Sequence, residues 1–316
     1  MIPDLEEYLK RMSAKNRPYW SIDLLDFYFR RKILGQKIPL LASFKITYRC
    51  NLKCHACPFH QKAKEQDPHI TWERAIRVLE GLQGTGCRIV VFEGGEPLLW
   101  ADGCYEFTDL VQYAKKLFLR VGVTTNGTLP LIVPTDVLWV SLDGVKETHD
   151  FLRSNSFDTI WSNLKSADHP RLFIHFTINK QNWRDLDELV ERLREVPTVK
   201  GMTVQLFYPY DQDERPLALS FYERKAALEK VIQLKRNGYP ILNSINRLRA
   251  MIENKWVCYD DILINADPNG KITLGCYVKN RGEVRCDDCG FTPVAEASGA
   301  LGLNLGPLRA GWHIFS

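Results

Sequence analysis

Between residues 40 and 210 the sequence alternates between two periods, and that alternation constrains the fold more than any other feature. Apolar runs of strand length occur at about 40–48, 88–92, 120–125, 137–142, 172–178 and 201–207. Helical patterns lie between them, at about 71–82, 105–117, 146–152, 157–166 and 183–194. Strands that alternate with helices predict βαβ units and a parallel sheet. Six such units in a row predict an α/β fold, a partial (β/α)6 TIM-like barrel with its chemistry at the C-terminal ends of the strands. Alternation within the strands points the same way. Ser141 and Asp143 share one face of the fourth strand. His175, Thr177 and Asn179 share one face of the fifth, opposite Ile174, Phe176 and Ile178. With the polar face inward, the barrel holds a polar lumen open to a ligand; a closed core would be filled by branched apolar side chains.

The loop after the first strand carries Cys50, Cys54 and Cys57 in a C-x3-C-x2-C spacing. Thiolates are soft ligands that select iron–sulfur clusters, zinc or copper. Three are one short of a closed tetrahedral site, which leaves either an open iron or a zinc completed by His55 or His60. The other strand ends are also distinctive. Glu93-Gly94-Gly95-Glu96-Pro97 follows the second strand, Asn126-Gly127 the third and Asp143-Gly144 the fourth. The backbone of Gly94 and Gly95 can approach a ligand closely. Glu96 can pair with a ligand's positive charge or serve as the acid at a helix N-terminus.

In a second group, Cys258 and Cys276 bracket a hairpin-like segment at 262–274, and Cys286 and Cys289 follow as a C-x2-C pair. Four thiolates make a complete set for structural zinc or a fully ligated cluster. The remaining two of the nine cysteines, Cys87 and Cys104, read as small buried hydrophobes. The N-terminus is acidic and lacks a signal-peptide core, and no apolar run reaches membrane-spanning length. The expected location is therefore the cytoplasm, where cysteines bind metal more often than they form disulfides. The net charge of +4 reads as a solvated surface, and no basic–aromatic stripe points to nucleic acid. Residues 19–35 read as a helix with Ser21 as N-cap, Gly35 as stop and Arg30, Arg31 and Lys32 near its end. It packs on the domain as an amphipathic helix, or lies peripherally on a membrane. A charged linker at 211–216 precedes helices at about 220–236 and 244–255, and the glycine-rich tail 298–316 predicts no element. The domains expected are a helical segment 1–39, the barrel 40–215, a helical connection 216–255 and a cysteine-rich domain with its tail 256–316.

The triplet, the Gly-Gly-Glu-Pro turn and the strand pattern together resemble the radical S-adenosylmethionine (radical SAM) enzymes. Cys50, Cys54 and Cys57 match the family's cluster loop, and 93–97 resembles its "GGE" motif, which receives the amino group of S-adenosylmethionine. Ser141-Leu142-Asp143-Gly144 with His149-Asp150-Phe151-Leu152-Arg153 resembles its strand-four signature, in which a serine and an arginine contact the cofactor's ribose and carboxylate. The resemblance implies a 4Fe–4S cluster on the triplet. It also implies S-adenosyl-L-methionine at Gly94, Gly95, Glu96, Asn126, Ser141, Asp143 and Arg153, and reductive cleavage to a 5′-deoxyadenosyl radical. That radical serves C–H functionalisation or addition to an alkene. Ala56 stands where the family often has an aromatic near the adenine, which leaves Phe59 for stacking. The late cysteines look like a twitch domain, a shortened SPASM domain, and imply a second 4Fe–4S cluster, with zinc the alternative. The layout also resembles the HpnH-like subgroup, although no further cysteine follows Gly290. On that likeness a lipid or isoprenoid substrate is favoured. The alternatives are a peptide or protein side chain, or a non-catalytic zinc or iron–sulfur module. Ferredoxin or flavodoxin is the implied electron donor. Substrate-side candidates are His175, Gln205, Tyr208, Tyr210 and Asp260, with Cys258 a free thiol if the second cluster is incomplete.

Overall fold

The computed structural model describes residues 20–55, 57, 59, 69–210, 212–279 and 283–316. Expectations that concern residues 1–19, Ala56, His60 and Asp211 lie outside the described residues. In chain order the main elements are α1 (Trp20–Lys32), β1 (Leu41–Thr47), α2 (Trp72–Gly84), β2 (Ile89–Gly94) and a short hairpin of β3 (Ala101–Asp102) and β4 (Tyr105–Glu106). Then come α3 (Phe107–Leu117), β5 (Arg120–Thr125), β6 (Val137–Ser141), α4 (Lys146–Leu152), α5 (Phe157–Ser166), β7 (Leu172–Ile178), α6 (Leu186–Leu193) and β8 (Val199–Leu206). The C-terminal third holds α7 (Phe221–Arg236), α8 (Ile245–Ile252), β9 (Leu263–Ala266), β10 (Ile272–Leu274), α9 (Thr292–Leu301) and α10 (Leu305–Phe315).

One sheet runs β10-β9-β1-β2-β5-β6-β7-β8. The six expected strands sit side by side in chain order and are mutually parallel. β9 adds a seventh parallel strand beside β1, from Leu41↔Leu263 to Phe44↔Ala266. β10 closes the expected hairpin against β9. The second cysteine group is thereby built onto the β1 edge of the barrel sheet.

The period-two pattern sorts each strand into two faces. Phe44, Phe92, Val123, Val140, Ile174 and Val204 point outward into one core with the helices. α2 meets that core with Ala75, Val78, Leu79 and Leu82, an i, i+3, i+4, i+7 stripe. Each fully buried side chain of this size contributes about 1.5–3 kcal/mol. The opposite face lines the lumen, with an apolar base of Ile89, Val91, Val137, Trp139 and Phe173.

The two ends of the described chain close that base. Leu24 of α1 and Ile314 and Phe315 of α10 pack against it, and Arg120 donates to the carbonyl of Phe315. This corrects the reading of the tail as lacking an element. Its glycines permit close helix approach: a Cβ on Gly299 would stand 2.7 Å from Pro307 and 2.9 Å from Arg247. Cys104 is exposed, not buried as expected. α1 buries Phe27, donates from the Tyr28 hydroxyl to the Ala300 carbonyl at 2.8 Å and pairs Arg31 with Asp261 at 2.8 Å. Its other face leaves Ile22, Leu25 and Phe29 exposed. No helix among the described residues is long and apolar enough to cross a membrane.

Candidate active site

Cys50, Cys54 and Cys57 lie on the loop that leaves β1, and the thiols are free. The loop is held from several sides. Gly95 N donates to Thr47 O at 2.8 Å, Glu96 N to Arg49 O at 2.9 Å, Lys53 N to Ser154 Oγ at 3.0 Å and His55 N to Leu152 O at 2.9 Å. Asn51 Nδ2 reaches Thr128 Oγ1 at 2.7 Å. Phe59 stacks on Tyr48, with ring centroids 5.7 Å apart. Burial pushes the Cys50 thiol above its ordinary range and Cys54 up to about 11, while the Arg153 charge pulls Cys54 the other way.

The two glycines of the next turn are required by this loop. A Cβ on Gly94 (φ +129°) would stand 2.2 Å from Thr47 O, and one on Gly95 would stand 2.2 Å from Arg49 O. The close approach is therefore to the protein's own backbone. Glu96 is 0% exposed. Its Oε1 accepts from Leu98 N at 3.0 Å and Thr125 Oγ1 at 2.8 Å, and its Oε2 accepts from Asn126 N at 2.6 Å. Burial pushes its pKa up to about 6 against those donors. Of the two roles expected for Glu96, the observed contacts are those of an acid at a helix N-terminus. The carboxylate caps a 3-10 turn and ties β2 to the end of β5, and the cavity wall contains Glu93, Gly94 and Gly95 instead.

Asn126 is also engaged by protein groups. Its Oδ1 accepts from Thr128 N at 2.9 Å and Thr128 Oγ1 at 2.7 Å. Its Nδ2 donates to Asn51 Oδ1 at 2.8 Å and lies 3.6 Å from Cys50 Sγ. Asp143 joins three elements. Its Oδ2 accepts from Arg153 Nε at 2.5 Å, its Oδ1 from Thr177 N at 2.7 Å, and its backbone N–H donates to His149 Nδ1 at 3.1 Å. Burial opposes the Arg153 charge, but Asp143, Cys54 and Cys57 outweigh it and raise its pKa. Ser141 is buried at the end of β6, opposite His175 of β7. Cys50, Cys54, Cys57, Gly94, Gly95, Asn126, Ser141, Asp143 and Arg153 all line one cavity of about 580 Å³, which continues down to the apolar base of the lumen.

Between mouth and base lies the polar tier that strand alternation predicted, with Glu93, His175, Thr177, Thr203 and Gln205 on the cavity wall. Thr203 Oγ1 lies 3.3 Å from both Ile174 O and His175 Nδ1. Burial pushes the His175 ring's pKa below the ordinary histidine value. Gln205 Nε2 lies 3.5 Å from Thr177 Oγ1. Tyr208 and Tyr210 line the cavity edge to face, although the Tyr208 hydroxyl is taken by Glu283 O at 2.8 Å and Arg285 N at 3.1 Å. Asp260 is not on the cavity wall; it accepts from Lys279 at 2.6 Å and from Cys276 N at 3.3 Å, beside the second cysteine group.

Sequence reasoning missed Lys45 and Glu93 as individual residues. Lys45 is 1% exposed. Its ammonium donates to Ser43 Oγ and to Asn265 Oδ1 at 3.0 Å, stands 3.8 Å from Glu93 and lies over the Tyr277 ring at 5.2 Å. Ser43 in turn donates to Glu93 at 2.5 Å. The available signal was the alternation of β1, which puts Ser43 and Lys45 on the lumen face and Phe44 and Ile46 outside.

The four late thiols are free and within electrostatic reach of one another. The Asn254 amide holds the carbonyls of Cys286, Asp287 and Cys289 at 3.3, 2.6 and 3.1 Å, and Arg224 donates to the Cys289 carbonyl at 2.7 Å. Among the described residues, no three His, Cys, Asp or Glu side chains converge on a single-ion site. Three thiols at one cavity mouth, two N–H groups on the Cys50 sulfur and the half-buried Arg153 guanidinium beside Cys54 form a donor set and charge environment that a cluster with one open iron would fit.

Comparison with known proteins agrees with this geometry. The chain is 32% identical over 219 residues to the Fe-coproporphyrin III synthase of Methanosarcina barkeri, covering 62% of this chain and 53% of that protein. It is 29% identical over 283 residues to the AdoMet-dependent heme synthase of the same organism, covering 81% and 78%. With the sporulation killing factor maturation protein SkfB of Bacillus subtilis it shares 28% over 173 residues, 50% of this chain and 40% of that one. It thus spans about half the length of the first of these relatives. The crystal structure of Streptococcus suis SuiB bound to S-adenosylmethionine has the same fold, with TM-score 0.60 and 16% identity over 95% of this chain and 74% of that one. The profile of the Radical SAM superfamily matches residues 44–217, more than half of the sequence. The chain belongs to the radical SAM superfamily, whose members imply a 4Fe–4S cluster and S-adenosylmethionine.

Proposed function

We propose that this protein binds a 4Fe–4S cluster through Cys50, Cys54 and Cys57 and cleaves S-adenosylmethionine to act on a small substrate with a large apolar body, a tetrapyrrole being the first class to test. The observation that carries this reading is the single cavity joining the cysteine triplet to a polar tier and an apolar base. When bound and reduced, the cluster and S-adenosylmethionine supply a 5′-deoxyadenosyl radical that abstracts a hydrogen atom. The chain's residues do the rest. Gly94 and Gly95 bring backbone groups to the mouth. Ser141, Asp143 and Arg153 take the cofactor's polar groups, with Arg153 held by Asp143. Asn126 and Glu96 serve the cofactor indirectly, by fixing the cysteine loop and the turn. His175 and Glu93 offer hydrogen-bond acceptors to the substrate, and α1 and α10 keep water from the lumen base.

The second cysteine group is proposed to hold a second 4Fe–4S cluster, with zinc the alternative, and ferredoxin or flavodoxin is the proposed electron donor. The functional units proposed are the segments 1–39, 40–215, 216–255 and 256–316. A tetrapyrrole is favoured because the match to the heme synthase extends over 81% of the chain and that to SkfB over 50%. A peptide is the second reading, supported by SkfB and by SuiB, which has been crystallised with its precursor peptide SuiA. A lipid or isoprenoid now rests on the apolar base alone. The test is anaerobic reconstitution, reduction with dithionite and assay for 5′-deoxyadenosine, followed by absorbance titration with Fe-coproporphyrin III and heme. Cofactor cleavage with a saturable shift of the porphyrin band supports the tetrapyrrole. Cleavage with no porphyrin binding removes it, and no cleavage by the cluster-loaded protein overturns the whole reading.

A further inference from the structure

Asn126 is bound into the cysteine loop so that its amide nitrogen, with two protons, meets two acceptors. Its Oδ1 is fixed by both the backbone and the hydroxyl of Thr128, which sets the orientation of the amide. Its backbone N–H is fixed by buried Glu96. Its Nδ2 then lies between Asn51 Oδ1 and Cys50 Sγ. The same sulfur is approached by Leu52 N at 3.5 Å. Among the described residues, no N–H group approaches the sulfurs of Cys54 and Cys57 in this way.

We propose that Asn126 is a positioning residue that tunes the cluster electronically, by donating a hydrogen bond to the Cys50 sulfur, and is not a direct contact of S-adenosylmethionine. This rests on the proposed binding of a cluster by the triplet. Reduction adds one electron to the cluster and spreads negative charge onto its sulfur ligands. A donor aimed at one of those sulfurs stabilises the reduced state more than the oxidised one, so it raises the reduction potential.

The test is a potentiometric titration of the reconstituted full-length protein without S-adenosylmethionine, read by electron paramagnetic resonance. Asn126→Leu removes the donor without adding charge and is the decisive variant, while Asn126→Asp keeps the shape, loses the N–H and adds a negative charge that lowers the potential in the same direction. Ser154→Gly removes a different anchor of the loop, the bond from Lys53 N, and suits the left-handed backbone there (φ 58°). The expected result is a more negative potential in both Asn126 variants. Their ratio of reduced to oxidised cluster at fixed solution potential should fall about tenfold, equivalent to about 59 mV for a one-electron couple. Ser154→Gly should keep the wild-type value. An unchanged potential in Asn126→Leu overturns the proposal. An equal shift in Ser154→Gly also overturns it, because loop anchorage would then explain the effect. A wild-type protein that takes up no iron on the triplet overturns the radical SAM reading of these cysteines, and this inference falls with it.

Discussion

The Asp143–Arg153 pair is the joint on which the mouth of the cavity depends, and Asp143→Ala tests it before any cofactor is added. Arg153 Nε meets Asp143 Oδ2 at 2.5 Å, and the two side chains are 18% and 8% exposed. Removing one partner of a buried pair costs about 3–5 kcal/mol, because the other charge is left uncompensated. The partial exposure of Arg153 argues for the lower end. Thr177 N also loses its acceptor, at about 1–3 kcal/mol. The sum is about 4–6 kcal/mol, a large share of the total stability of a typical domain, about 5–15 kcal/mol. In a urea titration of the metal-free protein at neutral pH, a slope of about 3 kcal/mol/M turns this into a midpoint shift of about 1.3–2 M. Asp143→Asn keeps an acceptor for Thr177 but still strands the guanidinium. The double variant Asp143→Asn with Arg153→Leu removes both charges and should recover much of the loss. A midpoint shift for Asp143→Ala of less than about 0.3 M, or about 1 kcal/mol on that slope, would refute the argument. So would a double variant no more stable than Asp143→Asn.

Three further predictions follow from the same site. Glu96 and His149 give pH dependences of opposite sign. The folded pKa of Glu96 is raised to about 6, so its contribution is present below the unfolded carboxylate value and is lost as pH rises through about 6. That of His149 is lowered to about 4, so its contribution is present above the unfolded imidazole value and is lost as pH falls through about 4. In thermal melts His149→Gln should therefore flatten the acid limb, while Glu96→Gln should remove the decline on the other side; the reverse pattern would refute both assignments. Gly95→Ala drives a Cβ to 2.2 Å from Arg49 O, so the turn must leave the cysteine loop. The reconstituted variant should lose about half of the roughly eight irons expected for two clusters, as counted by iron assay. Cys50→Ala should abolish 5′-deoxyadenosine formation and keep the metal of the late cysteines; normal product formation would remove Cys50 from the cluster.

Which parts of this molecule can be read without coordinates follows from how far apart in sequence the interacting groups are. Strand alternation in 172–178 correctly put His175 and Thr177 inside and Ile174 and Phe176 outside, because the pleat acts between neighbours. The same rule would have exposed Lys45 as a lumen residue, but a lysine in an apolar strand gives no sign of the partners that hold it. Those partners include Asn265 and Tyr277, more than 200 positions away. Glu96 was legible only in part. Its motif allowed either a ligand's charge or a helix N-terminus as partner, while two further donors that occupy it, Thr125 and Asn126, come from β5 and the loop that follows. The tail misled because glycine reads as a loop signal in one dimension and as a close helix contact in three.

The sequence by itself determined the order of strands and helices, the polar face of the lumen and the three thiols at one strand end. All of these are local patterns, set by a period of two or 3.6 residues or by spacing within one loop. The tertiary structure alone decided what surrounds those thiols. It carried Ser154, Thr128 and Asn126 to the cysteine loop, closed the lumen base with α1 and α10, and built the second cysteine group onto the edge of β1. The reason is physical. A buried donor, acceptor or charge must find its complement wherever the packed chain supplies one, and in a barrel that complement comes from a different strand.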